Sequence, residues 1–285
     1  MSKTGFLPAQ PQDTPALRAL WQQVFGDEES FISQSLLSFA GPGQVYVAKQ
    51  QEKLVAQLLA VPCNMGGQSG VYLYALATAP SARGQGVMGG LMAYAEEEER
   101  QKGAVFSALI PAGAALYAYY EKRGYAQTLW LRRVLLAPEA AQPGEDLPGV
   151  QFARPDAEGF AALREKYIQC PYINFTPGRY APLLQDLYSQ GAVFAINSGG
   201  YAVYMKTEDS VLVVELFAQN DAQAKAILCA IQEKTGCGGM ALTLAQQPAL
   251  FAGQGVLQPA GLLKPLQSEF VVKYPYIRFG FDELE

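Results

Sequence analysis

Short apolar runs and helical spacings alternate along the first half of the chain. Apolar residues recur every three or four positions after Thr14-Pro15, which predicts a helix that begins at Thr14 and ends at Gly26. A second helix is predicted over residues 31–39. Three apolar runs of strand length follow, separated by polar or glycine-rich turns, at residues 45–48, 54–61 and 71–77. Such runs predict a meander of hairpin-connected strands.

Helices and strands alternate beyond this meander. Helical spacing returns over residues 86–102, and we expect the acidic run 96–99 to be a solvated face of that helix. An apolar strand at 105–110, a short helix at 114–123 and a further strand at 128–136 complete the series. This order predicts an α+β fold in which helices pack on a sheet as an α/β sandwich.

The second half of the chain repeats this order loosely. Residues 137–150 hold three prolines, two glycines and three acidic residues, which is typical of a linker. We therefore expect one domain at 1–136, a linker at 137–150 and a second domain at 151–285. The elements predicted after the linker are helices at 160–167, 180–189 and 221–235 and strands at 193–196, 201–206, 211–217 and 240–244. Similar order with unlike sequence indicates a duplicated fold.

Composition narrows the chemistry that the chain can perform. None of the 285 residues is histidine, which excludes Ser-His-Asp and Cys-His triads and every metal site that needs a histidine ligand. Proton transfers must then use carboxylates, tyrosine, lysine, cysteine, water or the backbone. The four cysteines form no Cys-x-x-Cys pair, so we expect reduced thiols and no metal centre.

Charge and hydropathy bear on partners and location. The net charge is −5 at pH 7 and no run of lysine or arginine occurs, so nucleic acid is not expected as a partner. No apolar run reaches the roughly 18 residues of a membrane helix, and residues 1–12 lack the layout of a signal peptide. The sequence therefore predicts a cytoplasmic protein without a membrane partner, and it leaves the oligomeric state open.

A glycine-rich segment between the third strand and the following helix is the strongest candidate site. Gly84, Gly86 and Gly89 allow tight turns and close approach to the backbone, and the first N–H groups of the helix are unpaired. Together these features make an anion cradle suited to a pyrophosphate, although a turn without a ligand stays an alternative. The segment lacks the Gly-Lys-Ser/Thr of a P-loop. Six residues separate it from the strand, which disfavours a Rossmann site.

Two motifs resemble one family. Arg83-Gly84-Gln85-Gly86-Val87-Met88 is similar to the Gln/Arg-x-x-Gly-x-Gly/Ala motif of the GNAT acyltransferases, and Tyr120-Glu121-Lys122-Arg123-Gly124-Tyr125 is similar to their Tyr-x-x-x-Gly-Phe/Tyr motif. Met88 departs from the usual small residue, as in the Eis-like group. The resemblance implies a GNAT fold with a central mixed, mostly antiparallel sheet. It also implies a second, degenerate GNAT-like domain without a CoA loop, as in tandem members of that group.

The resemblance also implies roles for individual residues. The loop would bind the pyrophosphate of acetyl-CoA, and Tyr120 would be the general acid. The backbone of the family's fourth strand, which corresponds to residues 76–78 here, would hold the pantetheine arm. Tyr117 is the nearest competitor for that role, and Arg83 has the alternative of a solvated loop residue. The implied co-substrate residues are Leu76, Ala77, Thr78, Arg83, Gly84, Gln85, Gly86, Val87, Met88 and Gly89. Pro111-Ala112-Gly113 stands where the family often has an asparagine, which puts one pantetheine contact in doubt.

The function that follows is acyl-CoA-dependent N-acyltransfer. Acetyl-CoA would be the co-substrate, a small amine or a peptide amine the acceptor, and no metal would be needed. The general base stays open among Glu28, Glu29, a water chain and the terminal carboxylate. The alternative function is a non-catalytic acyl-CoA-binding or sensing module that docks a protein through its second half. There, Gly253-Gln254-Gly255-Val256 repeats the letters of residues 84–87 but follows a helix, so we interpret it as a turn.

Overall fold

The computed structural model describes residues 4–137, 149–247, 249–268, 270–273 and 275–277. They pack as two compact units, one from residues 1–127, 173–182 and 261–271 and the other from 128–172, 183–260 and 272–285. These units interleave along the chain, so their bounds differ from the expected division at residues 136 and 151. The expected linker lies mostly outside the described residues, and the assignment of separate roles to 1–136 and 151–285 stays a prediction.

The first unit is built on a mixed, mostly antiparallel sheet. All of its neighbouring strands pair antiparallel except β4 and β5, which pair in parallel. The last position is taken by residues 261–265 of β12, which spans Val256–Pro265. In spatial order the other strands are β1 (Thr4–Pro8), β2 (Val45–Gln50), β3 (Lys53–Met65), β4 (Gln68–Thr78) and β5 (Phe106–Leu109). The sequence pattern missed β1 and β12.

Helices cover both faces of this sheet. The helices α3 (Val87–Gln101) and α4 (Ala114–Glu121) share a hydrophobic core with one face of β2, β3 and β4. The opposite face packs against α1 (Thr14–Phe25) and α2 (Glu29–Gln34), which continues as a π-helical turn to Ala40. The helix expected from Thr14 to Gly26 is confirmed, because Gly26 ends it with φ of 78°.

The hairpin turns of the meander fall where the sequence pattern placed them. Gln51 and Glu52, between β2 and β3, adopt φ of 49° and 62°. Positive φ at both central residues is what a two-residue hairpin turn of type I′ requires. Gly66 and Gly67, with φ of 59° and 80°, join β3 to β4. The three-stranded meander is therefore confirmed.

The acidic run 96–99 is not a uniformly solvated face, which corrects that expectation. Glu96 and Glu99 are each about 5% exposed. Glu96 accepts a hydrogen bond of 2.7 Å from Tyr125 and Glu99 one of 2.6 Å from Tyr46. Buried carboxylates are tolerated where hydrogen-bond donors satisfy them. The sequence around Glu96 and Glu99 does not reveal these donors, because the two tyrosines belong to distant elements.

The second unit repeats the architecture of the first. Its strands lie in the order β6 (Ala126–Leu136), β11 (Gly239–Ala245), β10 (Ser210–Ala218), β9 (Gly200–Lys206), β8 (Val193–Asn197) and β7 (Gln151–Ala153), with residues 126 and 127 in the first unit. Among the described strands of this unit, only β10 and β11 pair in parallel. The helices are α5 (Ala157–Tyr167), α6 (Tyr180–Ser189, whose residues 180–182 belong to the first unit) and α7 (Asp221–Thr235).

The second unit differs from the first at the start of its crossover helix. Like β4, β10 carries a bulge and then enters a helix, α7, that leads to a parallel strand. The side chain of Asn220, however, accepts the N–H of Gln223 at 3.0 Å and so caps α7. This helix therefore begins with a side-chain cap in place of a glycine loop.

The segment Gly253-Gln254-Gly255 is a turn, as expected, but it follows a strand instead of a helix. It lies between β11 and β12, and the described residues between those strands form no helix. Arg132 binds the carbonyl groups of Phe251 and Gln254 at 2.8 Å each. These hydrogen bonds give the two backbone carbonyl groups of the turn a partner in place of the hydrogen bonds that a helix would supply.

No helix among the residues described here has the length and apolar character to cross a membrane.

All four cysteines, Cys63, Cys170, Cys229 and Cys237, are free thiols, as expected.

Candidate active site

Strand β5 pairs with only the first part of β4. Parallel pairing runs from Gly70, opposite Phe106, to Tyr72, opposite Ala108. In the part of the chain that the structure describes, β4 continues to Thr78 without a further partner on β5. Because β5 ends at Leu109, the edge of β4 beyond Tyr72 has no partner on β5, and its backbone groups are available to a ligand.

A β-bulge lies in the part of β4 beyond its pairing with β5. Gln57 pairs with Ala77 and Leu59 with Tyr74, so β4 has one more residue than β3 over this stretch. Ala75, inside the bulge, has φ of 50°, a conformation that costs alanine on the order of 1 kcal/mol. Strain of this kind is typical of functional sites. Nothing in the sequence marks the bulge, because the strained residue is not a glycine.

The three residues expected to contact pantetheine follow Ala75 directly. Ala77 is fully buried, whereas Leu76 and Thr78 are half-buried. The carbonyl of Thr78 accepts a hydrogen bond of 3.2 Å from Nε of Arg83. Arg83 is exposed, and this bond joins the start of the glycine loop to the end of β4.

The glycine loop connects a short turn of 3-10 helix, Pro80–Ala82, to α3. Gly84 and Gly86 have φ of 74° and 76°, which glycine adopts without strain. Nε2 of Gln85 donates to the carbonyl of Ser81 at 2.9 Å and holds the loop against that turn. Residues 83–86 are all exposed.

Helix α3 begins with free backbone donors. Val87, Met88 and Gly89 are its first three residues, and their N–H groups have no acceptor within the helix. No side chain caps this end, which carries the positive pole of the helix dipole. The exposed glycine loop and these donors fit the diphosphate of a CoA-type molecule.

Tyr120 lies in the last turn of α4 and is 7% exposed. Burial raises the pKa of its phenol to about 12; the neighbouring Tyr119 adds to the shift and Arg123 opposes it. Its ring centroid lies 6.0 Å from that of Tyr125. The hydroxyl makes no hydrogen bond to any other residue for which coordinates are described. Such a phenol is protonated at neutral pH and is able to donate a proton.

One hydrophobic core connects these parts. Tyr120 and Val87 belong to the same cluster, and Leu76 and Met88 pack against it. The structure thus brings α4, the first turn of α3 and the end of β4 together around one core. Tyr117 also packs against this cluster and is half-buried.

An aromatic cluster that the sequence analysis missed lies on the opposite face of the sheet. The ring of Tyr74, next to the bulge, lies 6.0 Å from Trp21 and 5.3 Å from Phe39. Nε1 of Trp21 donates to Asp27 at 2.7 Å. The residues come from α1, β4 and the turn after α2, so only folding reveals the cluster.

The structure places the candidate bases on the surface of the first unit. Glu28 is exposed, and Glu29 forms an exposed ion pair with Arg18 at 2.8 Å. Residues 279–285, including the terminal carboxylate, lie outside the described residues. Over the ranges that are described, no three Cys, Asp or Glu side chains come together as metal ligands.

Comparison with known proteins identifies the first unit. Residues 6–128 match a family model described as an acetyltransferase (GNAT) domain. No curated protein matches the chain. This match supports a GNAT acetyltransferase domain over residues 6–128 and N-acetyltransferase as the class of enzyme.

Solved structures extend the similarity of fold to nearly the whole chain. A protein from Enterococcus faecalis described as a "Probable N-Acyltransferase" is 16% identical with a TM-score of 0.76, over 93% of this chain and 73% of its own. Eis1 from Mycobacterium abscessus is 14% identical with a TM-score of 0.72, over 94% and 75%. A tandem GNAT protein from the clavulanic acid pathway is 12% identical with a TM-score of 0.55, over 94% and 100%. The expected likeness to Eis and to tandem GNAT proteins is confirmed.

Proposed function

We propose that this protein transfers an acetyl group from acetyl-CoA to a primary amine. The observation that carries the proposal is the bulged end of β4, which has no partner on β5 and shares one hydrophobic core with the first turn of α3 and the buried phenol of Tyr120. A thioester lying along this edge of β4 would have its phosphates at the glycine loop and its sulfur toward α4. The acceptor is a small amine or a peptide amine.

The mechanism that we propose is direct attack. The neutral amine attacks the thioester carbonyl, so that a C–N bond forms and the C–S bond breaks. Backbone N–H groups at the bulge polarise the carbonyl oxygen, and Tyr120 gives its proton to the departing thiolate. The proton of the amine passes to water or a carboxylate, since the chain has no histidine. Residues 76–78 bind the pantetheine arm, and residues 83–89 bind the diphosphate.

The loop assignment is tested by two matched substitutions. Gly84 and Gly253 have φ of 74° and 79°, and in both a Cβ would meet open space. Alanine at either position adds similar backbone strain, about 1 kcal/mol. Because only Gly84 lies in the proposed phosphate loop, we expect Gly84→Ala to weaken CoA binding and Gly253→Ala to leave it unchanged, as measured by calorimetry.

The outcomes of this calorimetry separate the competing functions. Absence of CoA binding by the unaltered protein would refute the proposal. Equal weakening in both variants would show that the loop acts through stability alone. Tight CoA binding without turnover on any amine would favour the acyl-CoA-binding module over the enzyme.

A further inference from the structure

Arg123 follows the last turn of α4 and its guanidinium is held in a defined place. Nη1 donates to the carbonyl of Tyr119 at 2.6 Å, and the guanidinium carbon lies 3.4 Å from the centroid of the Tyr119 ring. Stacking and a hydrogen bond together fix the plane of the group. The side chain is half-buried, so part of it faces solvent.

The same guanidinium touches the first turn of α3. A Cβ on Gly89 would lie 2.9 Å from Nε and 2.9 Å from Nη2 of Arg123. Any side chain at residue 89 would therefore push the guanidinium away. The absence of a side chain at Gly89 lets a cation from α4 reach the helix end that carries the free N–H groups.

This position is electrostatically unfavourable without an anion. The N-terminus of a helix carries about half a positive charge, and cations normally stabilise the opposite end. Among the residues that the structure describes, no carboxylate forms an ion pair with Arg123. Arginine offers five N–H donors, and the bond to Tyr119 uses one of them.

We propose that Arg123 binds the diphosphate of the acyl-CoA donor from the α4 side, opposite the N–H groups of α3. The fork of a guanidinium matches two phosphate oxygens, and the contact combines charge with geometry. Arg123 is thus a residue that binds the acyl-CoA. This assignment rests on the proposed function, which places the diphosphate at this helix end. The sequence motif alone does not reveal it, because the motif assigns no role to the residue before Gly124.

The test compares Arg123→Gln with Lys122→Gln. Both remove one positive charge from neighbouring residues, but Lys122 is exposed, and no hydrogen bond or ion pair joins its side chain to the described residues of the site. We expect Arg123→Gln to raise the Kd for CoA and the KM for acetyl-CoA about tenfold or more, because charge-assisted hydrogen bonds are lost. Lys122→Gln is expected to change neither by more than about twofold. Thermal denaturation of both variants checks that they fold.

Shortened donors locate the contact. S-acetylpantetheine has no phosphate, so the unaltered protein and Arg123→Gln should use it with equal kcat/KM. Acetyl-dephospho-CoA keeps the diphosphate but lacks the 3′-phosphate, and the defect of Arg123→Gln should persist with it. A defect that disappears with acetyl-dephospho-CoA would assign Arg123 to the 3′-phosphate and overturn the proposal.

Two other results would also overturn it. An equal defect with S-acetylpantetheine would show that Arg123 acts on Tyr120 or on the fold, and an unchanged Kd for CoA would show no contact. Failure of the unaltered protein to bind CoA would instead refute the proposed function, so the two failures are distinguishable.

Discussion

At the scale of single residues, Tyr120 combines two properties that a proton donor needs. It is buried in the core that joins α3, α4 and β4, and its phenol stays protonated because burial raises its pKa to about 12. The sequence motif points to this residue, with Tyr117 as its nearest competitor, and its role as the acid stays a prediction. Tyr117 is only half-buried, so its environment differs from that of the motif tyrosine.

Replacing Tyr120 with phenylalanine should remove the proton donor while keeping the ring in the core. We expect kcat to fall about a hundredfold or more, with little change in KM for acetyl-CoA, because general acid catalysis contributes on this order. Steady-state kinetics with a saturating amine measures both. Tyr117→Phe is the control and should retain turnover; the opposite pattern would move the role to Tyr117.

The pH dependence follows from the direction of the shift in the pKa of Tyr120. A donor acts only while protonated, and its activity is lost as the pH rises through its pKa. Since that pKa is raised to about 12, the acid form persists throughout the alkaline range. We expect kcat/KM to rise with pH as the amine loses its proton, without a decline below about pH 10. An alkaline limb near pH 9 in a pH–rate profile would contradict the assignment.

At the scale of secondary-structure elements, the bulge in β4 was not predictable from the sequence. The apolar run at 71–77 placed the strand correctly, but the extra residue appears only in the register with β3. The burial of Glu96 and Glu99 was unpredictable for the same reason, because their partners Tyr125 and Tyr46 come from other elements. Local patterns determine where elements lie, and pairing across the fold determines what each face contacts.

The strain at Ala75 gives a stability prediction with an unusual sign. Ala75→Gly should leave the free energy of unfolding unchanged or raise it by up to about 1 kcal/mol, because glycine accepts φ of 50°. Ala75→Val should lower it by more than about 1 kcal/mol, since a β-branched residue resists this conformation. Urea denaturation measures both changes.

A regular strand position provides the comparison for Ala75. Ala60 is fully buried in β3 and pairs with Leu73 in unbroken register. Ala60→Gly should therefore destabilise the protein by about 0.5–1 kcal/mol or more, as glycine does inside strands. If glycine destabilised both positions equally, the bulge would not store strain at Ala75.

At the scale of the whole molecule, the sequence predicted the repeated order of elements but not how the chain divides between the units. Residues 173–182 and 261–271 come from the second half of the chain yet pack in the first unit. Residues 262–265 of β12 pair with β5, more than a hundred residues earlier. Its partner is remote, and its run includes two prolines and a glycine, so no local pattern announces this strand.

The two units also differ in the feature that defines the site. The first has the glycine loop before α3, whereas the second has the Asn220 cap before α7. We therefore expect one acyl-CoA site per chain. Calorimetric titration with CoA should give a stoichiometry near one per chain, and a stoichiometry near two would show that the second unit binds as well.

The central claim is acetyl transfer from acetyl-CoA to an amine, and amine-dependent release of free CoA tests it most directly. The measurement is the initial rate of thiol release from acetyl-CoA over a panel of small amines and lysine peptides, with the product identified by mass spectrometry. The account predicts release that requires both protein and amine, and an acetylated amine formed in equal amount. Release that is independent of every amine, or no release despite CoA binding, would contradict it.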